Sequence, residues 1–264
     1  VESWIDAETL LSYDHLAFRA ATAGEPVRRT PSLMYNGMLY PFLGYGIRGV
    51  IWYQGESNRA RPAEYRVLFP AMVEAWRRQW GIGDFPFYYV QIAPKDWAGG
   101  NSAFLREAQL QSMQAAANMG MAVTLDIGEC DQIHPADKRT VADRLAYWAL
   151  AKDYGYEAIG FSGPVYRGMQ SADGGTIALE FDYAPRGLSS FGRPLEGFEI
   201  AGADRVFHPA QAAIAQREAK VTVWSGDVPE PVAVRYAFGD CPPASLYSTE
   251  GLPASSLRTD NWAD

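Results

Sequence analysis

The sequence predicts an α/β fold in which helices cover both faces of a parallel sheet. Apolar strand patterns and amphipathic helix patterns alternate three times between residues 49 and 154. The strands are apolar at successive positions, which is typical of strands that are buried on both faces. Each helix pattern is followed by a glycine (Gly81, Gly120 or Gly155), a residue that commonly ends a helix.

The first strand and helix lie between Gly49 and Gly81. Residues 49–53 form an apolar run that is too short for a helix, and we interpret them as a fully buried strand. A polar loop follows, and Pro62 can open a helix as its first residue. Apolar residues then recur at spacings of three and four, which predicts one buried helix face, with Pro70 as a potential kink.

Two further strand and helix pairs follow. Residues 87–92 and 121–127 are predicted strands, and residues 102–119 and 136–154 are predicted helices. The last helix should direct three apolar side chains inward, namely Val141, Leu145 and Trp148. In such sheets the working site lies beyond the carboxyl ends of the strands, so the loops that follow the first and third strands should face one cleft.

The chain divides by composition near residue 160. We expect residues 1–160 to belong to the α/β domain and residues 161–245 to form a small module of short antiparallel strands. Residues 246–264 should be a tail that packs back on the α/β domain.

The segments before the first strand are also patterned. Residues 1–30 are amphipathic and partly helical in character, and residues 32–46 are expected to contain a short buried helix.

Composition excludes several classes of function. The chain has 264 residues, of which 48% are hydrophobic and 20% charged, as in ordinary globular proteins. A net charge of -8 argues against nucleic acid or an anionic membrane as partner. No apolar run approaches the length of a membrane span. Eight Trp and fifteen Tyr could supply platforms for sugars, although we expect most of them in the core.

The chain has two cysteines, Cys130 and Cys241. Two cysteines make neither a disulfide scaffold nor a zinc site, and the sequence does not reveal whether they pair. Two free thiols are the safer expectation.

The strongest chemical signal is the loop of residues 126–135. Asp131 and His134 are three residues apart, so one turn can bring the carboxylate into contact with the imidazole. A carboxylate that orients a histidine is part of a general-base apparatus. The other reading is a capping Asp and a structural His before a helix. His15 and His208 lack this setting and are expected to be surface or structural residues.

A second polar loop, Gln54–Asn58, follows the first strand. Gln54 or a backbone amide could donate to an oxyanion, as acyl transfer requires. The alternative is a helix cap, a role that Asn58 could fill. Ser57 is not expected to be a nucleophile, because the loop lacks the Gly-x-Ser-x-Gly elbow.

Two other functions remain open at this point. Asp126, Glu129, Asp131 and His134 are possible metal ligands, but no second histidine stands at helical spacing and neither cysteine has a suitably spaced partner. We therefore expect no metal and no other cofactor. The second alternative is a non-catalytic carbohydrate-binding fragment, suggested by the aromatic content and the β-rich segment.

Several motifs resemble the sialate O-acetylesterase family of SGNH-type carbohydrate esterases. The two most specific are Trp52–Asn58 and Asp131–Pro135. The similarity extends over nearly the whole chain from about Thr30, and further stretches carry it: Tyr35–Met38, Leu105–Gln109, Gly197–Gly202, Glu250–Ser255 and Arg258–Asp260.

The resemblance implies a three-layer α/β fold and a Ser-His-Asp mechanism that removes acetyl groups from sugar hydroxyls. It implies His134 as catalytic base, Asp131 as the acid that orients it, and Gln54 as an oxyanion donor. Gly55, Glu56 and Asn58 lie in the same motif and would contribute to oxyanion or substrate binding. The implied substrate is an acetylated sugar or glycan, either sialic acid or a plant polysaccharide, and the implied location is secreted or periplasmic.

The chain departs from this family in one respect. The family's nucleophilic serine lies in a Gly-Gln-Ser-Asn block well before the matched region, and these 264 residues contain no such block. We therefore expect an N-terminal portion of the same enzyme, or a partner chain, to supply the serine beside the strand at Val50–Tyr53. The first residues have no signal-peptide shape and read as a cut end.

Overall fold

The computed structural model describes residues 1–13, 15–16, 30–172, 174–215 and 218–262. The helices of this part are α1 (Ala7–Leu11), α2 (Pro62–Trp80), α3 (Ala103–Ala115) and α4 (Lys138–Asp153). The strands of the first sheet are β1 (Val50–Trp52), β2 (Phe87–Val90) and β3 (Met119–Ala122). The later strands are β4 (Val165–Ala172), β5 (Thr176–Asp182), β6 (Leu188–Ser189), β7 (Phe198–Ala201), β8 (Phe207–Pro209), β9 (Gln211–Ile214), β10 (Lys220–Trp224), β11 (Ala233–Tyr236), β12 (Tyr247–Ser248) and β13 (Leu257–Arg258).

The first sheet is parallel, with the strand order β1-β2-β3. Alternate side chains of β2 point to opposite faces. Phe87 and Tyr89 pack in one core cluster with apolar residues of α2 and α3, whereas Tyr88 and Val90 pack in a second cluster with α4. The three inward residues predicted for the last helix lie in this second cluster. The predicted three-layer α/β fold is therefore confirmed.

Strand β1 is more exposed than the sequence suggested. We expected a fully buried strand, but the side chain of Ile51 is 71% exposed and that of Tyr53 37%. The physical reason is that β1 pairs only with β2 in the described part of the chain, so its other edge has no neighbour.

The boundary between α3 and β3 was also predicted wrongly. Gly120 does not end a helix, because α3 stops at Ala115 and Gly120 is the second residue of β3. A Cβ at this position would collide with the indole of Trp148 and the ring of Tyr88. The glycine therefore lets an aromatic side chain of α4 pack directly on the strand. By contrast, α2 ends as predicted, at Gly81 in the left-handed conformation, and it continues through Pro70.

The segment before β1 is not a buried helix. It consists of two short turns, Tyr35–Leu39 and Tyr40–Phe42, in which only Tyr35 is buried. The predicted helical character of residues 1–30 falls partly outside the described residues, and α1 accounts for what is described of it.

The strands after residue 160 pair antiparallel, as the alternating pattern predicted. Two four-stranded sheets have the orders β4-β5-β10-β9 and β13-β11-β7-β8, and β12 pairs with β6. Their buried apolar residues join the cluster that contains α2 and α3. Near the C-terminus, the side chain of Gln91 donates to the hydroxyl of Ser255 at 2.7 Å, and Arg258 forms an ion pair with Glu107 at 2.9 Å. The domain boundaries at 160 and 245 stay predictions.

No helix in the described ranges combines the length and the apolar character that crossing a bilayer would need.

Candidate active site

The loop after β1 is held tightly against the core. Gly55 is buried, and a Cβ at this position would lie 2.5 Å from a methyl carbon of Ile92 and 3.0 Å from the side-chain nitrogen of Gln109. Only glycine therefore allows this close approach. The carbonyl of Gln54 accepts hydrogen bonds from the hydroxyl of Tyr65 at 3.2 Å and from Nε2 of Gln109 at 3.4 Å.

The side chain of Gln54 faces a second amide. Its Nε2 donates to Oδ1 of Asn58 at 2.8 Å, and its Oε1 is buried with no hydrogen-bond partner among the described residues. Asn58 is 1% exposed, and its Nδ2 donates to the carboxylate of Glu2 at 2.9 Å. Asn58 is thus an internal residue that fixes the orientation of Gln54, while Ser57 is exposed to solvent.

The loop after β3 uses two of its acids for internal contacts. Asp126 forms a bidentate ion pair with Arg144 of α4, at 2.7 and 2.6 Å. The carboxylate of Glu129 accepts a hydrogen bond from the backbone of Ala136 at 2.7 Å. Both groups thus have structural partners. Throughout the described ranges, no three of the four proposed metal ligands come close enough to share an ion.

Asp131 and His134 are both exposed at the surface of this loop. The hydrogen bond that their spacing suggested is not formed in this structure. Among the described residues, neither ring nitrogen of His134 has a hydrogen-bond partner, and no serine hydroxyl contacts it. The imidazole is therefore accessible to an incoming group.

Glu56 links the two polar loops electrostatically. Burial raises the pKa of its carboxyl group above the ordinary value of 4.5. Backbone hydrogen bonds and the positive charges of His134 and Lys138 oppose this rise. Lys138 also lies over the ring of Tyr53, with Nζ 5.5 Å from the ring centre. The loops after β1 and β3 therefore lie close to each other, as their positions at the carboxyl ends of the strands predicted.

The loop after β2 is hydrogen-bonded to the loop after β3. The backbone N–H of Asp96 donates to the carbonyl of Cys130 at 2.7 Å, and Nζ of Lys95 donates to the carbonyl of Asp131 at 3.3 Å. The ring of Trp97 lies between two cations, 4.7 Å from the guanidinium of Arg59 and 5.5 Å from Nζ of Lys95. The three loops therefore form one continuous polar surface.

The expectation of two free thiols was wrong. Cys130 and Cys241 form a disulfide, with 5.7 Å between their Cα atoms. The two cysteines are 111 residues apart in sequence, and only the folding of the β-rich segment onto the sheet brings them together.

The sequence did not predict the buried residues that hold the Gln54 loop in place. Gln109 and Tyr65 hold the carbonyl of Gln54, and Gln109 also accepts the backbone N–H of Ile92 at 2.9 Å. A signal was available, because Gln109 is a polar residue on the inward face of a predicted helix. The other two histidines lie outside these loops: His15 is exposed near Tyr13, and His208 is in β8.

The fold and the site together define a class of protein. A parallel sheet between two helical layers, with a histidine in the loop after its third strand, is the arrangement of an SGNH-like hydrolase. Residues 22–150 match the model of the family described as "Carbohydrate esterase, sialic acid-specific acetylesterase". The chain is therefore similar to this family of carbohydrate esterases over just under half of its length, as the sequence resemblance predicted.

Individual relatives agree with this assignment. The chain is 32% identical to sialate O-acetylesterase of Mus musculus over 174 residues, and 34% identical to that of Homo sapiens over 157 residues. These matches cover 57% and 51% of the chain, but only 32% and 29% of the two relatives. The structure is similar to that of a carbohydrate acetylesterase from Xanthomonas citri, with a TM-score of 0.85 and 38% identity. That similarity covers 99% of this chain and 58% of the other.

Proposed function

We propose that this chain carries the acid–base part of a serine-type carbohydrate O-acetylesterase. The observation that supports this most directly is the accessible imidazole of His134, whose ring nitrogens have no partner among the described residues. It lies in the loop after β3, close to the Gln54–Asn58 loop, at the carboxyl end of a parallel sheet. In a chain that is similar to a family of carbohydrate esterases, such an imidazole is suited to act as a general base.

The reaction proceeds in two halves. His134 removes the proton from a serine hydroxyl, and the serine oxygen attacks the acetyl carbonyl. Gln54 donates to the resulting oxyanion, and Asp131 orients the imidazole and stabilises its protonated form. Collapse breaks the ester bond, and His134 returns the proton to the sugar oxygen. A water molecule, deprotonated by His134, then attacks the acetyl-serine, and acetate and free serine are released.

Gly55, Glu56 and Asn58 have distinct parts in this scheme. Gly55 permits the close packing that places Gln54, and Asn58 accepts a hydrogen bond from its side chain. Glu56 lies beside His134 and is suited to contact a hydroxyl of the sugar.

The serine is supplied by a further segment or chain that pairs beside β1. Six large apolar side chains between residues 38 and 53 support this proposal, because each is more than a third exposed: Met38, Tyr40, Phe42, Tyr45, Ile51 and Tyr53. Exposed apolar groups at this density mark an interaction surface. An apolar groove of about 410 Å³ also runs between β1 and the sheet-facing side of α4, lined by Ile51, Val141 and Leu145 among others. A strand docked there would complete the sheet and cover the groove.

The substrate is an O-acetylated sugar or glycan. Similarity to a sialate O-acetylesterase and to a carbohydrate acetylesterase supports this class of substrate. Cleavage of 4-nitrophenyl acetate by the complete native polypeptide would test the chemistry, and acetate release from acetylated sialic acid and from acetylated xylan would test the sugar.

The nucleophile is tested separately by labelling with a fluorophosphonate, followed by peptide mapping. We expect a labelled serine outside these 264 residues. A label on Ser57, or undiminished turnover by His134→Ala, would contradict the proposal.

A non-catalytic carbohydrate-binding role has one observation in its favour. A second cleft of about 460 Å³ is lined by the rings of Phe161 and Tyr183 and by Asp182, Arg186 and Glu250. Aromatic faces and carboxylates are groups that bind sugars. Calorimetric titration with unacetylated xylo-oligosaccharides would distinguish the two functions. Binding that Tyr183→Ala abolishes, in a polypeptide without esterase activity, would favour this second candidate.

A further inference from the structure

The loop that carries His134 has little apolar anchoring of its own. Between Glu129 and His134 only Ile133 is partly buried, and the remaining residues are exposed. Its internal support is a hydrogen bond from the backbone of Gln132 to the carbonyl of Glu129 at 2.9 Å, together with the contact of Glu129 with Ala136. Segments with few buried contacts open at low free energy. The position of His134 therefore depends on contacts from outside the loop.

The strongest outside contact is the disulfide to Cys241, which is itself firmly held. The carboxylate of Asp240 accepts the backbone N–H of Ser102, at the start of α3, at 2.7 Å. The carbonyl of Gly239 accepts a hydrogen bond from Arg106, a fully buried residue of α3. The carbonyl of Asp240 also accepts the backbone N–H of Lys95 at 3.2 Å. The disulfide thus connects the His134 loop to the amino end of α3.

Helix α3 also holds the loop that carries Gln54. Gln109, two turns further along α3, donates to the carbonyl of Gln54 and accepts from the backbone of Ile92. The distance between the base and the oxyanion donor is therefore set through one rigid element. The Gln54 side of this link consists of hydrogen bonds, whereas the His134 side combines the disulfide with the hydrogen bonds from α3 to Gly239 and Asp240.

We propose that the Cys130–Cys241 disulfide is a positioning element that fixes the His134 loop against α3, and that catalysis depends on its oxidation state. This inference rests on the proposed esterase function. The relevant reaction is thiol–disulfide exchange. Dithiothreitol supplies two electrons and two protons, the bond between the two sulfurs breaks, two cysteine thiols form, and the reagent becomes a cyclic disulfide.

The kinetic test uses the complete native polypeptide with and without dithiothreitol. Because small displacements of a catalytic group are costly, reduction should lower kcat roughly ten- to hundredfold while KM changes by less than about twofold. Re-oxidation with glutathione disulfide should restore kcat. Cys130→Ser, Cys241→Ser and the double variant should all show the same reduced kcat and should not respond to the reductant. Unchanged kcat in the double variant would overturn the inference.

Two measurements keep this test separate from the proposed function. An intact mass under denaturing, non-reducing conditions should lack two hydrogen atoms relative to the dithiol, and a mass with both hydrogens would overturn the inference directly. Hydrogen exchange should quicken at residues 128–136 on reduction while residues 103–115 keep their protection, and equal protection before and after would also overturn it. If the oxidised wild type releases no acetate, the proposed function fails, and the exchange measurement alone decides whether the disulfide positions the loop.

Discussion

The side chain of Gln109 joins the ends of two neighbouring strands to α3. Its Oε1 accepts the backbone N–H of Ile92 at 2.9 Å, and its Nε2 donates to the carbonyl of Gln54 at 3.4 Å. Gln109 is fully buried, so the N–H of Ile92 depends on it rather than on water, while the carbonyl of Gln54 is shared between Gln109 and the hydroxyl of Tyr65. The loop that carries the proposed oxyanion donor is thus held in part by one amide of α3.

Replacing Gln109 by leucine should destabilise the protein and lower turnover. The substitution leaves a buried N–H without a partner, which costs about 1–3 kcal/mol of the free energy of unfolding. Urea unfolding would measure the loss, and kcat should fall as Gln54 loses its support. Gln111→Leu is the matched control, because Gln111 lies on the exposed side of the same helix and should change stability by less than about 0.5 kcal/mol. Equal effects of the two variants would contradict the assigned role.

His134→Ala should remove nearly all esterase activity of the complete enzyme. A base that acts with a serine contributes several orders of magnitude to kcat, roughly a thousandfold or more. His15→Ala is the control for loss of an exposed histidine, and we expect full activity from it. Both variants should unfold at the wild-type temperature, since His134 makes no hydrogen bond among the described residues.

Asp131→Asn should reduce kcat less than His134→Ala does and leave the fold intact. An orienting carboxylate acts through the histidine, so its loss should also alter the pH profile of kcat/KM. The control is Asp143→Asn, an exposed acid on α4 that pairs with Arg139 at 3.6 Å. A pH profile that is identical in wild type and Asp131→Asn would indicate that another group orients His134.

Gln54→Ala should lower kcat roughly ten- to a thousandfold and change KM much less, because an oxyanion donor acts on the transition state. Ser57→Ala, in the same turn, should remain active, since Ser57 is exposed and its hydroxyl makes no hydrogen bond among the described residues. If Gln54→Ala changes only KM, the side chain binds the sugar instead.

The free energy of unfolding should depend on pH through the carboxyl group of Glu56. Its pKa in the folded protein lies above the ordinary 4.5, so the folded state binds this proton more tightly than the unfolded state does. The stabilising contribution of the neutral form is therefore present below pH 4.5 and is lost as the pH rises through the raised folded pKa. The free energy of unfolding of Glu56→Gln, relative to wild type, should increase from about pH 4 to about pH 7. Glu74→Gln, on the exposed face of α2, is the control, because it makes the same substitution at an exposed side chain. If the free energies of unfolding of both variants change with pH in the same way, the prediction is contradicted.

Local periodicity was sufficient to predict the alternation of helices and strands in the α/β part, although not the α3–β3 boundary. The stripe between Tyr65 and Trp80 encodes α2, because a helix can bury one face only if apolar residues recur every three or four positions. Buried and more exposed residues alternate along β5 and β10, which agrees with the predicted short antiparallel strands, because alternation is equally local. The order of strand and helix also placed the polar loops at one edge of the sheet. These inferences need no knowledge of which residues meet in space.

Contacts between distant residues were decided only by the tertiary structure. The bond between Cys130 and Cys241, the packing of Trp148 over Gly120 and the support of Gln54 by Gln109 each join separate elements. The exposure of Ile51 likewise depends on which strand lies beside β1, and the composition of β1 is the same whether that edge is covered or bare. The sequence by itself determined the elements, their order and the chemical character of the loops. The tertiary structure decided which side chains of those loops are held inside and which, like His134, stay accessible, because that depends on the packing of segments far apart in the chain.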